Sequence, residues 1–226
     1  MSDTLPLPPR RNLEQYKKLD WPQHVYWLGG APCAGKTSIS ETLANRFNID
    51  VYHVDDTFEG HARRFDPVLH PTLTKWRDAS WNQRWMQPID SLIKDVIACY
   101  REHFTMILED VIFNPQDKSL LVDGTALLPR QVAPFLLNRR RAIWVIPTFV
   151  FQRAHYSNRQ WAREIVAQCD NSELAFDNWM KRDAGFAHSV ATEVEALNLK
   201  LLQVDGKHTI EENALLVADF FQLTKP

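Results

Sequence analysis

Short apolar runs alternate along the chain with longer segments of helical periodicity. The segments between the runs place apolar residues three or four positions apart, the spacing of a helix with one buried face. Strands that alternate with helices predict a parallel sheet covered by helices on both faces. We therefore expect an α/β fold with a five-stranded parallel sheet flanked by helices, its strands at residues 24–28, 49–54, 119–122, 141–146 and 199–204.

The longest helical pattern follows Pro88. Apolar residues recur from 89 to 112 in steps of one, three or four, which predicts a single amphipathic helix that Asn114 and Pro115 end. The residues around Pro67 and Pro71 predict an irregular stretch. Further helices are expected at 13–19, 36–47, from about 129, at 172–197 and at 210–221.

Composition narrows the class of protein. The 226 residues are 45% hydrophobic, enough for one substantial core, so we expect a polar, proline-rich tail at 1–20 and a single domain at 21–226. The formal net charge of −2 argues against general nucleic-acid binding. The three cysteines form no C-x-x-C pair, and no apolar run reaches the length of a membrane span. A cytoplasmic protein that does not bind membranes is the expectation.

A phosphate-binding motif follows the first predicted strand. Residues 30–37, Gly-Ala-Pro-Cys-Ala-Gly-Lys-Thr, match G-x-x-x-x-G-K-[ST] without a mismatch. Glycines let successive backbone N–H groups face one anion, and the helix that follows presents its positive end to the same anion. The motif predicts ATP and Mg²⁺ as cofactors, with Lys36 on the phosphates and Thr37 on the metal. The expected nucleotide-binding residues are Gly30, Ala31, Pro32, Cys33, Ala34, Gly35, Lys36, Thr37 and Ser38.

Carboxylates follow three other predicted strands. Asp55 and Asp56 come after the second strand, Asp123 after the third and Asp205 after the fifth. An Asp in such a loop is often only a helix cap. Beside a phosphate loop, however, one carboxylate can orient a nucleophile and take its proton, and another can hold Mg²⁺. Asp123 is expected at the metal, while D-x-x-G and N-K-x-D, which GTPases need, are missing.

A family resemblance rests on two stretches of this sequence. Gly30-x-Pro-x-x-Gly-Lys-Thr-Ser and Val54-Asp55-Asp56-Thr57-Phe58 resemble the small-molecule kinases of the P-loop class, such as gluconate kinase, chloramphenicol phosphotransferase, polynucleotide kinase and the zeta-toxin kinases. The resemblance covers 24–60 and implies the P-loop NTPase three-layer sandwich. It implies that Asp56 is the catalytic base and substrate contact and that Asp55 assists or contacts a metal-bound water. Which of the two is the base stays open.

The resemblance also implies a helical lid after the fourth strand, at residues 148–170. That segment contains Arg153, Arg159 and Arg163, and the last two, four apart, should share a helix face and stabilise the transferring phosphoryl group. Arg182 is a weaker candidate. By analogy of position, Asp205 and Gly206 are expected at the adenine.

The acceptor should contact the segment 57–113, a substrate-binding insertion in which Arg63 and Arg64 could bind an anionic group. The leading hypothesis is an ATP-dependent kinase for a small hydroxyl- or phosphate-bearing acceptor. Two alternatives stand beside it: a regulatory module that uses ATP as a switch, and a nucleic-acid end kinase.

Overall fold

A single parallel sheet of five strands forms the centre of the molecule. The computed structural model describes residues 13–16, 24–113 and 118–224. The strands lie in the order β2-β3-β1-β4-β5, and every neighbouring pair is parallel. Their bounds are Val25–Gly30 (β1), Asp50–His53 (β2), Leu120–Asp123 (β3), Ala142–Pro147 (β4) and Lys200–Val204 (β5).

Helices connect the strands and cover both faces of the sheet. Eleven α-helices occur in the described residues: Leu13–Tyr16 (α1), Lys36–Phe47 (α2), Val54–Ala62 (α3), Pro71–Asp78 (α4), Trp81–Trp85 (α5), Ile89–Phe113 (α6), Pro129–Val132 (α7), Phe149–Ser157 (α8), Gln160–Val166 (α9), Ser172–Ala196 (α10) and Ile210–Phe221 (α11). Short 3₁₀ turns at Ala133–Phe135 and Arg139–Arg141 lead into β4.

Successive strand residues point to opposite faces, and this alternation creates two cores. In β1, Trp27 packs on the face that α6 and α10 cover, and Leu28 packs on the face that α2 and α11 cover. In β4, Trp144 and Val145 divide in the same way. Burial on both faces explains why these strands are apolar throughout.

The structure confirms the predicted α/β class, the five parallel strands and the long helix after Pro88. Pro71 was expected in an irregular stretch, but it begins α4, because proline fits the first turn of a helix, where no backbone N–H is needed. Asn114 and Pro115, the expected end of α6, lie outside the described residues.

Part of the expected N-terminal tail contacts the domain. Tyr16 is fully buried among the residues that α6 and the sheet contribute, and its hydroxyl donates a hydrogen bond to Oε1 of Glu109 at 2.9 Å. The remainder of residues 1–20 lies outside the described residues. Among the helices described, none is long and apolar enough to cross a membrane.

The chain order of the strands reverses at β1. From β1 the chain passes to β2 and β3 on one side and then crosses to β4 and β5 on the other. In sheets of this kind, a crevice opens where the order reverses, outside the carboxyl ends of the strands. The segment 30–37, which we call the glycine loop, begins at this point.

Candidate functional site

At Gly30 and Gly35 the backbone of the glycine loop adopts conformations that residues with a side chain rarely adopt. Gly30 has φ 134°, and a Cβ there would lie 2.0 Å from the carbonyl oxygen of Val145 on β4. Gly35 has φ 78° and is the N-cap of α2, without a side chain to accept from the first turn. The N–H groups of that turn therefore have no capping side chain from Gly35, and they form a site suited to an anion.

Lys36 lies at the base of the loop and is buried. Its Nζ donates to the carbonyl oxygen of Ala31 at 2.9 Å and to Oγ1 of Thr125 at 3.2 Å. Burial lowers the pKa of Lys36, while the charges of Asp55 and Asp123 oppose that shift. A buried ammonium group with these two partners would be stabilised by a bound anion.

Asp123, the last residue of β3, is buried and held by two neighbours. Oδ1 is 2.9 Å from Nδ1 of His53, and Oδ2 accepts a short hydrogen bond from Oγ of Ser40 on α2. The same hydroxyl oxygen lies 2.8 Å from the carbonyl oxygen of Thr37. The carboxylate expected at the metal thus links β2, β3 and α2 immediately behind the glycine loop.

The two neighbouring acids of α3 face different surroundings. Both acids are exposed to solvent, but Asp55 lines the cavity that the glycine loop borders and Asp56 does not. The Asp55 side chain is open to the cavity but surrounded by protein, and this burial raises its pKa, although Lys36 opposes the rise. Of the two acids, Asp55 is the one placed to act on a molecule in the cavity.

A divalent cation could use oxygen atoms that this region provides. Mg²⁺ prefers carboxylates, hydroxyls, waters and phosphate oxygens, and it is usually held by only one or two carboxylates. Thr37 and Asp55 both line the cavity, and Asp123 lies behind them with its oxygens already hydrogen-bonded. This donor set fits Mg²⁺ bound with phosphates. The described residues hold no group of three or more His, Cys, Asp or Glu side chains that could bind a metal by themselves.

The cavity has a volume of about 920 Å³ and extends from the glycine loop into the segment between α3 and α6. Residues 32–38 form its inner end, and helices α4, α5, α6, α9 and α10 provide much of the remaining wall. The segment 57–113 therefore contributes to the wall, as expected for a region that meets an acceptor. Most of its contribution is aromatic or apolar: Phe58, Leu73, Trp76, Ala79, Trp81, Trp85, Leu92, Val96, Cys99 and Tyr100.

The arginines expected in the lid have separate environments. Arg159 lines the cavity. Burial raises the pKa of the Cys33 thiol in the glycine loop to about 11, and the positive charge of Arg159 opposes that rise. Arg163 instead donates from Nε to the carbonyl oxygen of Ser157 at 3.0 Å. The expectation of a shared helix face was wrong, because α9 begins at Gln160 and Arg159 is its N-cap. Arg153 forms an ion pair with Asp177 at 2.9 Å.

Two of the expected substrate contacts are not brought to the cavity. Arg64 forms an ion pair with Glu109, with 3.0 Å between Nη2 and Oε2, and Arg63 is exposed at the end of α3. Neither side chain is part of the cavity wall. The helical turns after Asp56 carry both arginines away from the glycine loop, so the geometry gives no support to their predicted contact with an acceptor.

The loop after β5 has no residue in the cavity wall, and it leads to Ile210, which lies near the glycine loop. A Cβ at Gly35 would lie 3.0 Å from Cδ1 of Ile210, and one at Gly206 would lie 3.1 Å from the ring of Phe151. Asp205 is exposed to solvent and pairs with Lys207 at 2.7 Å. An adenine at this position would therefore contact backbone and apolar surface near Gly206 rather than the Asp205 carboxylate.

Sequence reasoning missed Thr125 and Asp183 and gave Arg182 only as a weaker candidate, and the fold brings all three to the site or to its neighbourhood. Thr125 contacts Lys36 although 89 positions separate them. Arg182 lines the cavity with its guanidinium 4.8 Å over the Trp85 ring and its Nε 2.6 Å from Oδ1 of Asp183. Asp183 is buried, and burial raises its pKa while Arg182 opposes the rise. Only Arg182 carried a signal, as a basic residue in the helix after the expected lid.

Comparisons with known proteins do not add a relationship. No protein-family model matches the chain, and a search of curated proteins finds no match.

Proposed function

We propose that this protein is a P-loop phosphotransferase that moves the γ-phosphoryl group of ATP to a small acceptor. One observation carries the proposal: Lys36, Thr37, Asp55 and Arg159 line a single cavity at the carboxyl end of a parallel sheet. A phosphate-binding loop alone would serve hydrolysis or switching equally well. A large cavity directly beyond the loop, with a carboxylate on its wall, favours transfer to a second molecule.

The donor binds with its phosphates on the glycine loop. Backbone N–H groups at the start of α2 face the phosphates, and Lys36 exchanges its carbonyl and hydroxyl partners for phosphate oxygens. Thr37 would hold Mg²⁺, and Asp55 and Asp123 would contact it only through water, which leaves the Asp55 carboxylate free to accept a proton. The cation would neutralise charge on the phosphate oxygens. The adenine lies against the loop after β5, near Gly206.

Asp55 acts on the acceptor. Its carboxylate orients the acceptor hydroxyl and takes its proton as the oxygen attacks the γ-phosphorus atom. A raised pKa makes this carboxylate a stronger base than an aspartate of ordinary pKa. The resemblance to small-molecule kinases favours Asp56 for the same role, and the position of Asp56 outside the cavity wall is the reason to prefer Asp55.

Arg159 provides positive charge from the segment between α8 and α9. It follows α8, makes contacts over the rings of Tyr156 and Trp161 at 5.3 and 5.7 Å, and lies close enough to the glycine loop to affect Cys33. A guanidinium in this position stabilises the negative charge that spreads over the transferring group. Segment 148–170 would act as the lid, with Arg159 entering the site when it closes.

The proposal is tested by calorimetric titration with Mg·ATP and by ADP formation with a panel of hydroxyl- and phosphate-bearing acceptors. Lys36→Met should weaken ATP binding at least tenfold and abolish acceptor-dependent ADP formation. Lys118→Met, which alters an exposed lysine at the other end of β3, should change neither. Wild-type protein that binds no ATP would sink the proposal.

The two alternatives predict different results. A switch module would bind ATP tightly, change shape in solution scattering and form no acceptor-dependent ADP. A nucleic-acid end kinase would bind short oligonucleotides with strong salt dependence, because backbone contacts release counterions.

A further inference from the structure

The loop after β5 contributes no residue to the cavity wall. Residues 32–38 line the cavity, whereas Ile210, whose Cδ1 would lie 3.0 Å from a Cβ at Gly35, does not. If the proposed donor places its base near Gly206, the cavity remains for the acceptor. We propose, on the basis of the phosphotransferase function above, that the acceptor is a nucleoside-sized compound in which a planar aromatic or heteroaromatic ring accompanies the hydroxyl to be phosphorylated.

Trp161 provides the first support. Its side chain belongs to α9 and lines the cavity, yet 45% of its surface is exposed. Its contacts with Tyr156 and Trp179 are tilted or edge-on, at 6.0 and 5.7 Å between ring centroids, so neither ring covers it by parallel stacking. An indole this large gains from burial against another flat ring, because stacking removes apolar surface from water on both partners.

A second part of the wall is also flat and aromatic, and it is held rigidly. The guanidinium of Arg84 lies over the rings of both Trp76 and Trp81, at 4.2 and 4.6 Å. Arg84 also donates to the carbonyl oxygens of Trp76 and Arg77, at 3.0 and 2.8 Å, which fixes its orientation. A surface that is ordered before the ligand arrives loses little side-chain entropy on binding.

Both carboxylates that this segment places in the wall are already paired with basic side chains. Asp95 accepts from Lys75 at 3.3 Å, and Asp78 accepts from Arg77 at 2.8 Å. A polyhydric sugar needs a hydrogen-bond partner for almost every hydroxyl that it buries, and unmet partners are costly. A ring needs mainly apolar contact, which the aromatic side chains of this wall provide. The volume of about 920 Å³ is within the range of sites for ligands of this size.

The test measures acceptor binding and turnover with matched compounds. The ring-bearing set is adenosine, guanosine, cytidine, uridine, thymidine and pyridoxine. The ring-free set is ribose, deoxyribose, gluconate and glycerol. Binding is followed by calorimetry and by tryptophan fluorescence in the presence of Mg²⁺ and a non-hydrolysable ATP analogue. Turnover is followed as acceptor-dependent ADP. At least one ring-bearing compound should bind and be phosphorylated with kcat/KM at least tenfold above that of every ring-free compound.

Two variants locate the ring. Trp161→Ala should raise the Kd of the ring-bearing acceptor on the order of tenfold, the usual effect of losing a stacking partner, and should leave the Kd of ATP unchanged. Trp161→Phe should restore most of the affinity. Phe113→Ala is the matched control, because Phe113 is 44% exposed but lies outside the cavity wall. Circular dichroism confirms that each variant is folded.

The outcomes separate the two proposals. Failure of ATP to bind overturns the phosphotransferase function itself. ATP binding without binding of any ring-bearing compound overturns the acceptor class and leaves the phosphotransferase intact. Equal or better turnover of ring-free compounds does the same, as does a Trp161→Ala variant that keeps wild-type affinity for the ring.

Discussion

Nδ1 of His53 lies 2.9 Å from Oδ1 of Asp123, and the two residues are register partners at the carboxyl ends of neighbouring strands. An ionised carboxylate has no hydrogen to donate, so Nδ1 is the donor in this pair. Ser40 holds the other oxygen of Asp123 from α2. This one carboxylate therefore connects an edge strand, a central strand and the helix that begins at the glycine loop.

The first prediction concerns the loss of that connection. His53→Ala should lower the free energy of unfolding by about 1–3 kcal/mol, because it removes the partner of a buried carboxylate oxygen. His53→Asn, which keeps a donor, should recover part of the loss. Urea unfolding gives the values, and His208→Ala is the control because His208 is exposed with its nearest acid 3.9 Å away. A loss no larger than the control would show that water replaces His53.

The second prediction distinguishes the two acids of α3. Asp55→Asn should lower kcat with an identified acceptor by about 10²-fold or more, the usual effect of removing a catalytic base. Asp56→Asn should change kcat by no more than about threefold, because Asp56 lies outside the cavity wall. Steady-state kinetics at saturating ATP measure both. The reverse pattern would assign the base to Asp56, as the family resemblance does.

The pattern of apolar residues predicts the fold because it reports local periodicity. Strands β1 and β4 are buried along their whole length and α6 repeats its apolar residues at helical spacing, so their positions are visible in the sequence. Asp55 and Asp56 are visible in the same way as acids that follow β2. Helix α3 begins at Val54, however, and consecutive residues of a helix point about 100° apart. Only one of the two can face the cavity, and the spacing does not say which.

The arginines illustrate the same limit. Arg159 and Arg163 are four positions apart, but α9 begins between them, so the interval does not place them on one face. The contact of Lys36 with Thr125 depends on β1 and β3 being neighbours, which no local pattern records. The motif G-x-x-x-x-G-K-[ST] predicted the glycine loop, whereas the order of the strands in the sheet decides which side chains surround that loop.

The third prediction is the titration of Asp55. Burial raises its pKa and Lys36 opposes the rise, so carboxyl NMR of the ligand-free protein should give a midpoint above the usual range for aspartate. Lys36→Met should move the midpoint higher, because it removes the opposing charge. The protonated form is the one that the fold favours, so this group's contribution to stability falls as the pH rises from the unfolded-state pKa through the folded-state pKa. A lower midpoint in Lys36→Met would contradict the assignment.

The fourth prediction concerns a buried pair of histidines behind α3. Nε2 of His103 lies 2.8 Å from Nδ1 of His61, whose Nε2 lies 2.9 Å from Asp110. Burial, with a smaller effect from His61, lowers the pKa of His103 to about 3. The unfolded chain binds a proton at this position below about pH 6.5, whereas the folded protein does not. Stability from this group is complete above about pH 6.5 and is lost as the pH falls toward 3.

His103→Gln isolates that contribution. The variant should be less stable than the wild type at pH 7.5, because it disturbs the contact with His61. Between pH 7.5 and 4.5, however, its free energy of unfolding should fall less steeply than that of the wild type. Urea unfolding at several pH values provides the comparison. Parallel curves would mean that His103 becomes protonated within the folded protein.

The last prediction uses two glycines with opposite requirements. Gly30 has φ 134°, and a Cβ there would lie 2.0 Å from a backbone oxygen of β4, so Gly30→Ala should lower the free energy of unfolding by at least about 3 kcal/mol. Gly60 lies within α3, and a Cβ there would meet no atom within 4 Å. Gly60→Ala should therefore raise stability by about 0.5–1 kcal/mol, because alanine loses less backbone entropy in a helix. Urea unfolding of both variants measures the difference. Equal effects would mean that the backbone at Gly30 shifts to accommodate a side chain. A loop that shifts so easily could not hold its backbone N–H groups in place for a phosphate.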